Sequence, residues 1–293
     1  MDVEEFLKRD VNRRQFLDRS ARNAAGMAAG VVGLASNMAL ADSAPNERVV
    51  LAGIGMRGQG KFLTSSMAAF PDVHIKTICD VDEAVIPAAV KSIEKEQGTP
   101  PGVVSDFRKV LDDPEIDGVV IATPDHWHAM MAIMACQAGK DVYVEKPVSH
   151  NLNEGLKIIE AARKHQRVVQ SGIHQRSGSH FQSAVEFVQS GKLGDVRLAK
   201  AWIIHRRKSI GRKKDIAVPQ GVNYDLWLGP AASRPFNPNR FHYNWHWFWK
   251  YGNGELGNNG VHSLDLCRWG LGAEIPNRVV SSGGRYFYSD DQQ

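Results

Sequence analysis

Cysteine is scarce: Cys79, Cys136 and Cys267 lie far apart in a 293-residue chain and form no CxxC pair. An odd, sparse set excludes a disulfide framework and a zinc ribbon. Cys79, inside an apolar run, reads as a small core residue. A large excess of one charge is also missing. The formal net charge is +4 and charged residues make up 23%, an ordinary share that indicates neither disorder nor a coiled coil. The short basic clusters Arg206-Arg207-Lys208 and Arg212-Lys213-Lys214 have no nucleic-acid motif beside them, so they read as solvated loops and no nucleic-acid partner is expected. No apolar run reaches the ~20 residues that a hydrocarbon core requires, and no internal repeat or low-complexity tract interrupts the chain. What remains is an ordinary apolar share of 43% on a length sufficient for two domains.

Residues 1–41 read as an address. Asn12-Arg13-Arg14-Gln15-Phe16-Leu17 resembles a twin-arginine export signal. The Ala- and Gly-rich stretch from Ala24 to Ala35 is too short and too weakly apolar for an anchor, and Ala39-Leu40-Ala41 offers a small-x-small cleavage site. The expectation is a periplasmic or otherwise exported protein with no stable membrane insertion once the signal is removed.

From Arg48 onward short apolar strands alternate with helical segments. Strands are expected at Val49–Ala52, His74–Cys79, Gly118–Ala122, Asp141–Val144 and Arg167–Gln170, with a loop at Gly98–Gly102. The run at Gly118–Ala122 is apolar without alternation, which suits a buried parallel strand. This order argues for a doubly wound α/β sheet, a Rossmann domain over residues 47–171. After Ser171 the composition shifts towards His, Arg and Trp. Residues 172–293 read as a second, α+β domain with a helix near His180–Gln189, a longer strand near Val196–His205, a helix at His262–Trp269 and a last strand at Arg278–Ser282.

Gly53-Ile54-Gly55-Met56-Arg57-Gly58 stands between the first strand and a helix, the context in which GxGxxG binds a dinucleotide. Gly53 permits a tight turn, Gly55 lets the backbone approach a pyrophosphate, and the helix N-terminus favours its charge. Gly58 is expected to allow helix to pack closely on strand, with Met56 and Arg57 completing the loop around the cofactor. Asp80, at the end of the second strand, suits ribose hydroxyls and repels a 2′-phosphate, which favours NAD over NADP. Arg57 weakens that preference, so NADP stays possible.

Two further strand ends carry chemistry: Thr123-Pro124-Asp125-His126-Trp127-His128 and Glu145-Lys146-Pro147. His126 and His128 form an HxH pair, but a metal site would need two more ligands and none is evident, so no metal is expected. Asp125 is also placed to cap the following helix. Together with the glycine loop, these segments resemble the glucose–fructose oxidoreductase, inositol dehydrogenase and rhizopine-catabolism (Gfo/Idh/MocA) family, from about Arg48 to Gln293.

The resemblance implies that Lys146 contacts substrate and nicotinamide. It implies that Glu145 touches the nicotinamide ribose, that Pro147 shapes the turn through a peptide often cis in relatives, and that His128, with Thr123 and Pro124, lies near the cofactor. Family members commonly show Asp-x-Gly-x-His in a second constellation. Here Gly260 and His262 are kept while Asn258 replaces the aspartate. Asparagine can bond a substrate hydroxyl but cannot hold the charge that would stabilise an imidazolium. His262 or Lys146 is therefore expected to move the proton and Asn258 to orient the substrate. Asp265 either supplies part of the missing charge or is structural. Arg176 matches a position near the ligand, and Trp245-His246-Trp247 suits a sugar face, a core or a subunit contact. The implied activity is NAD(P)-dependent hydride transfer to or from a sugar, polyol or inositol-like secondary alcohol. The alternatives are an NAD-dependent glycoside-cleaving enzyme and a non-catalytic binding protein. The resemblance also implies a large, mostly antiparallel sheet in the second domain, incomplete in this chain, and a homo-oligomer.

Overall fold

The computed structural model describes residues 48–293 apart from residue 206; the export-signal expectation for residues 1–41 falls outside the described residues. Six strands form one parallel sheet: β1 (Val49–Ile54), β2 (Val73–Cys79), β3 (Gly102–Val104), β4 (Gly118–Ile121), β5 (Asp141–Val144) and β6 (Val169–Ser171), in the spatial order β3-β2-β1-β4-β5-β6. This is the doubly wound order, and the chain reverses direction of winding between β1 and β4, the switch point at which such sheets bind ligands. β4 is buried at every position, as its unalternating apolar run requires. The loop expected at Gly98–Gly102 ends instead in β3, a three-residue edge strand after Pro100-Pro101, too short to show any period.

Helices cover both faces. On one side, α1 (Gly58–Ala68) and α2 (Ile86–Gln97) close over Met56, Ile75, Ile78, Ala89 and Ile93. On the other lie α3 (Arg108–Leu111), α4 (Asp125–Gln137) and α5 (Leu152–Lys164), which bury Val110, Trp127, Met131, Ala135 and Ile158 against the sheet. Cys79 sits in this core, where burial pushes its thiol up to about 12. α5 starts cleanly because Asn151 Oδ1 accepts the Glu154 amide at 3.1 Å while the Glu154 carboxylate accepts the His150 amide at 2.9 Å, a reciprocal cap.

Beyond β6 come α6 (Ser179–Gln189), α7 (Tyr224–Leu228) and α8 (Val261–Gly270), the last preceded by a π-turn at Leu256–Gly260. An aromatic cluster of Tyr224, Trp227, Phe236, Phe241, Trp247, Phe248 and Tyr251 forms the core of this part. The strands expected at Val196–His205 and Arg278–Ser282 are not formed, and no large antiparallel sheet exists among the described residues. The physical reason is that a strand needs a hydrogen-bonded neighbour. Neither segment has one, and Trp202, Ile204, Val279 and Val280 are all largely exposed. No helix among the described residues is long and apolar enough to cross a membrane.

Candidate active site

The ends of β1, β4 and β5 open onto one cavity of about 470 Å³. Its floor is the glycine loop. Gly55 has φ +85°, and a Cβ there would lie 2.7 Å from the Ala122 carbonyl oxygen, so only glycine lets β1 turn this close to β4. α1 then begins at Gly58 with no side chain capping its first turn and no acid in it. Its first amides remain available at the cavity wall, the arrangement that holds a pyrophosphate. The close approach of helix to strand expected of Gly58 belongs to Gly60: a Cβ at Gly58 meets nothing within 4 Å, whereas one at Gly60 would fall 1.8 Å from the Gly55 oxygen. Gly53 faces away from the cavity, against Thr64 and Met56. The Met56 side chain is core, and only its backbone takes part in the site.

Asp80 stands at the cavity wall with one oxygen accepting the Met56 amide at 2.6 Å and the other the Asp82 amide at 3.0 Å. Burial raises its carboxyl above the usual range, and the two amide bonds oppose that. Each oxygen keeps a lone pair for a ribose hydroxyl. The cavity therefore fits a dinucleotide at three points: a positive-φ glycine that a side chain would block, an uncapped helix start and a carboxylate after β2.

The other end of the cavity is built around Glu145-Lys146-Pro147. The Lys146–Pro147 peptide is cis. Glu145 is buried, taking the Gln59 amide at 2.9 Å and the Lys146 backbone N–H at 3.0 Å. Lys146 Nζ donates to the backbone oxygen of Asn258 at 2.9 Å and to its Oδ1 at 3.2 Å, while Asn258 Nδ2 faces the Tyr243 hydroxyl at 3.4 Å. Asn258 thus orients the lysine as well as lining the cavity. Thr123 and Pro124 line the wall. The His128 ring, fully buried beneath them, has Nδ1 2.7 Å from the Pro147 oxygen and Nε2 2.8 Å from the Thr123 oxygen. It staples the two strand ends together, and neither nitrogen is left for a cofactor. A neutral ring can donate to only one of those carbonyls; burial, the larger influence, keeps it below its ordinary value.

His262, at the start of α8, faces the same cavity beside His174, with ring centroids 4.9 Å apart. Burial and then the Lys146 charge hold its pKa below 6.5. Its Nδ1 is buried without a partner, so an imidazolium would carry an unpaired N–H. Arg176 does not reach the cavity. It forms a bidentate pair with Asp265, at 2.7 and 2.8 Å, and lies over Trp269. That pair corrects the expectation for Arg176, which is drawn from the ligand by the nearest carboxylate, and it gives Asp265 the structural role left open for it, with its charge a lesser influence that raises His262.

The aromatic group divides. Trp247 is core, with the Arg207 guanidinium over its ring, whereas Trp245 and His246 stack on each other 3.6 Å apart and line the cavity. Burial depresses His246 to about 4, and its Nδ1 donates to the Tyr243 carbonyl. Asp125 does not cap α4. It is 1% exposed, accepts the Asn253 amide at 3.1 Å through Oδ2, leaves Oδ1 buried without a partner, and is pushed by burial to about 8. Sequence reasoning passed over Gln59, in the first turn of α1, His174, in a short 3-10 turn after β6, and His242 and Tyr243, which arrive at the cavity from a loop with no periodic signal. Among the described residues no group of three or more His, Cys, Asp or Glu side chains could hold a metal ion.

The strand order and the glycine cradle define a dinucleotide-binding Rossmann protein. Residues 47–173 match the Gfo/Idh/MocA oxidoreductase family, NAD-binding Rossmann fold, and residues 202–281 match that family's C-terminal alpha/beta domain. The chain belongs to this oxidoreductase family, and its N-terminal part is the family's NAD-binding domain. It is 32% identical over 154 residues to the uncharacterized oxidoreductase YrbE of Bacillus subtilis, covering 53% of this chain and 44% of that protein. It is 30% identical over 213 residues to an alpha-N-acetylgalactosaminidase of Shewanella oneidensis, covering 67% and 46%. The chain spans about half the length of the curated relatives it matches. Among solved structures it resembles GenD2 from gentamicin A biosynthesis in complex with NAD, with a TM-score of 0.54 and 22% identity over 83% of this chain and 57% of that one. A putative myo-inositol dehydrogenase from Sinorhizobium meliloti gives 0.50 and 20%, over 77% and 56%. These last two likenesses speak for the fold.

Proposed function

We propose that the chain acts as an NAD-dependent oxidoreductase on a secondary alcohol of a sugar, polyol or inositol-like substrate. The observation that carries this reading is the convergence of Lys146 and a neutral His262 on the cavity that also contains the Gly55 cradle. Gly55, the first amides of α1, Asp80 and Glu145 would hold NAD, which when bound supplies a hydride acceptor. Lys146, fixed by Asn258, donates N–H bonds that position the substrate oxygen. His262, neutral at pH 7, has a lone pair with which to take the hydroxyl proton, and in the reverse direction it returns that proton. Trp245 and His246 offer a flat apolar wall against which a sugar face can lie. Action after export, by the twin-arginine route, belongs to the same proposal, as does assembly into a homo-oligomer.

A second reading is a glycoside-cleaving enzyme that oxidises its substrate only transiently. The Shewanella relative's name and the aromatic wall favour it. The test is to load the purified chain with NAD and supply a panel of sugars, polyols, inositols and aryl glycosides. Net NADH formation supports the first reading, and aglycone release without net NADH supports the second. Binding of NADH without turnover on any member of the panel leaves only a binding protein. Lys146→Ala is expected to keep NADH affinity within about threefold while lowering turnover about 10²–10⁴-fold.

A further inference from the structure

The adenosine end of the cavity is not finished by the Rossmann domain. The loop after β2 is held from across by the later part of the chain. Asn223 N donates to the Val81 oxygen at 2.8 Å, Glu83 N donates to the Gly221 oxygen at 2.9 Å, and Asp82 and Val222 form an antiparallel bridge. Into this junction comes His242, in the left-handed backbone region with φ +54°. Its Nε2 lies 2.9 Å from Oδ2 of Asp82, a carboxylate only 5% exposed whose Oδ1 accepts the Ala84 amide at 2.9 Å. The His242 ring rests on Phe241, with centroids 4.0 Å apart. Asp80, Asp82, His242 and Arg57 all line the cavity.

Resting on the NAD reading of this cavity, we infer that His242, paired with Asp82, determines how strongly the site rejects a 2′-phosphate and so chooses between NAD and NADP. The charged groups here are Asp80 and Asp82 from the loop after β2, Arg57 from the start of α1, and His242 itself. With His242 neutral, two carboxylates face one guanidinium, and the wall is negative where the 2′-substituent falls. With His242 protonated the four charges balance, and a phosphate dianion is no longer repelled. Burial and the Arg57 charge hold His242 below its ordinary value, while Asp82 opposes them. The neutral, NADP-rejecting state is therefore the one present at pH 7 and above. Removing one unit of negative charge at contact range is worth about tenfold in the affinity ratio.

The experiment is a fluorescence titration of the full chain with NADH and with NADPH at pH 8 and pH 6 and constant ionic strength, read as the ratio of the two dissociation constants. His242→Asn suits the left-handed backbone and removes the titrating ring. It also reports the part of any pH effect that comes from protonation of the 2′-phosphate itself. Because His242 titrates below its ordinary value, pH 6 protonates it only in part, and the wild-type ratio is expected to fall about two- to fivefold more than that of His242→Asn between pH 8 and pH 6. Asp82→Asn is expected to lower the ratio about tenfold already at pH 8. Parallel ratios in wild type and His242→Asn, or an unchanged ratio in Asp82→Asn, overturn the inference while the cofactor reading stands. Failure of either nucleotide to bind the wild-type chain overturns both.

Discussion

Replacing Asp125 with asparagine separates burial from function in this cavity. The Asp125 carboxyl is 1% exposed, makes one hydrogen bond from the Asn253 amide, and has its other oxygen buried and unpaired. Burial raises it from 3.8 in the unfolded chain to about 8. The sign follows from linkage: a group with a raised folded pKa contributes its full stability below the unfolded value and loses it as pH rises through the folded value. The span is about four pH units at ~1.4 kcal/mol each, a ceiling of about 6 kcal/mol. Local rearrangement and water entry reduce this in real interiors, and about 2–3 kcal/mol is expected. The amide introduced by Asp125→Asn keeps an oxygen for the Asn253 N–H and never ionises. Urea unfolding at pH 5 and pH 8 should therefore show the stability of Asp125→Asn relative to the wild type rising by about 2–3 kcal/mol between the two pH values. Parallel pH profiles would refute the claim that this carboxyl is held protonated by burial.

Three other outcomes follow from the same geometry. The acid limb of kcat/KM should lie below pH 6.5, because burial and Lys146 hold His262 in its neutral form, and His262→Gln should remove that limb along with most of the activity. Gly55→Ala should destabilise the fold by about 1–3 kcal/mol and weaken NADH binding more than tenfold, since its Cβ would press on the Ala122 carbonyl; calorimetry and titration read the two effects. Arg176→Met should cost about 1 kcal/mol of stability by breaking the pair with Asp265, yet leave KM for substrate within about twofold.

The dinucleotide half was legible because its signals are local. A strand, a glycine loop and a helix follow one another within about 20 residues, and Asp80 and Glu145-Lys146 each close a strand whose apolar run announces itself. The helix-on-strand contact was assigned to Gly58 rather than Gly60 because spacing alone does not show which residue meets the Gly55 carbonyl. The second half was less legible for a different reason. Val196–His205 has the composition of a strand, but strand formation depends on a distant neighbour that no local pattern reveals. Arg176 and Asp265 are 89 residues apart, and nothing in either neighbourhood announces that they meet. His174 comes from a single 3-10 turn and His242 from an irregular loop, where a side chain's destination is set by tertiary packing rather than by period.

The central claim is that Lys146 and His262 serve a hydride transfer at the cofactor cavity. Its most direct test supplies the NAD-loaded chain with polyols and inositols deuterated at each carbinol carbon and analyses the recovered dinucleotide by mass spectrometry. Deuterium in the dinucleotide, formed by the wild type and lost in Lys146→Ala while NADH still binds, is the result predicted. Dinucleotide binding with no deuterium gained from any labelled alcohol would contradict it.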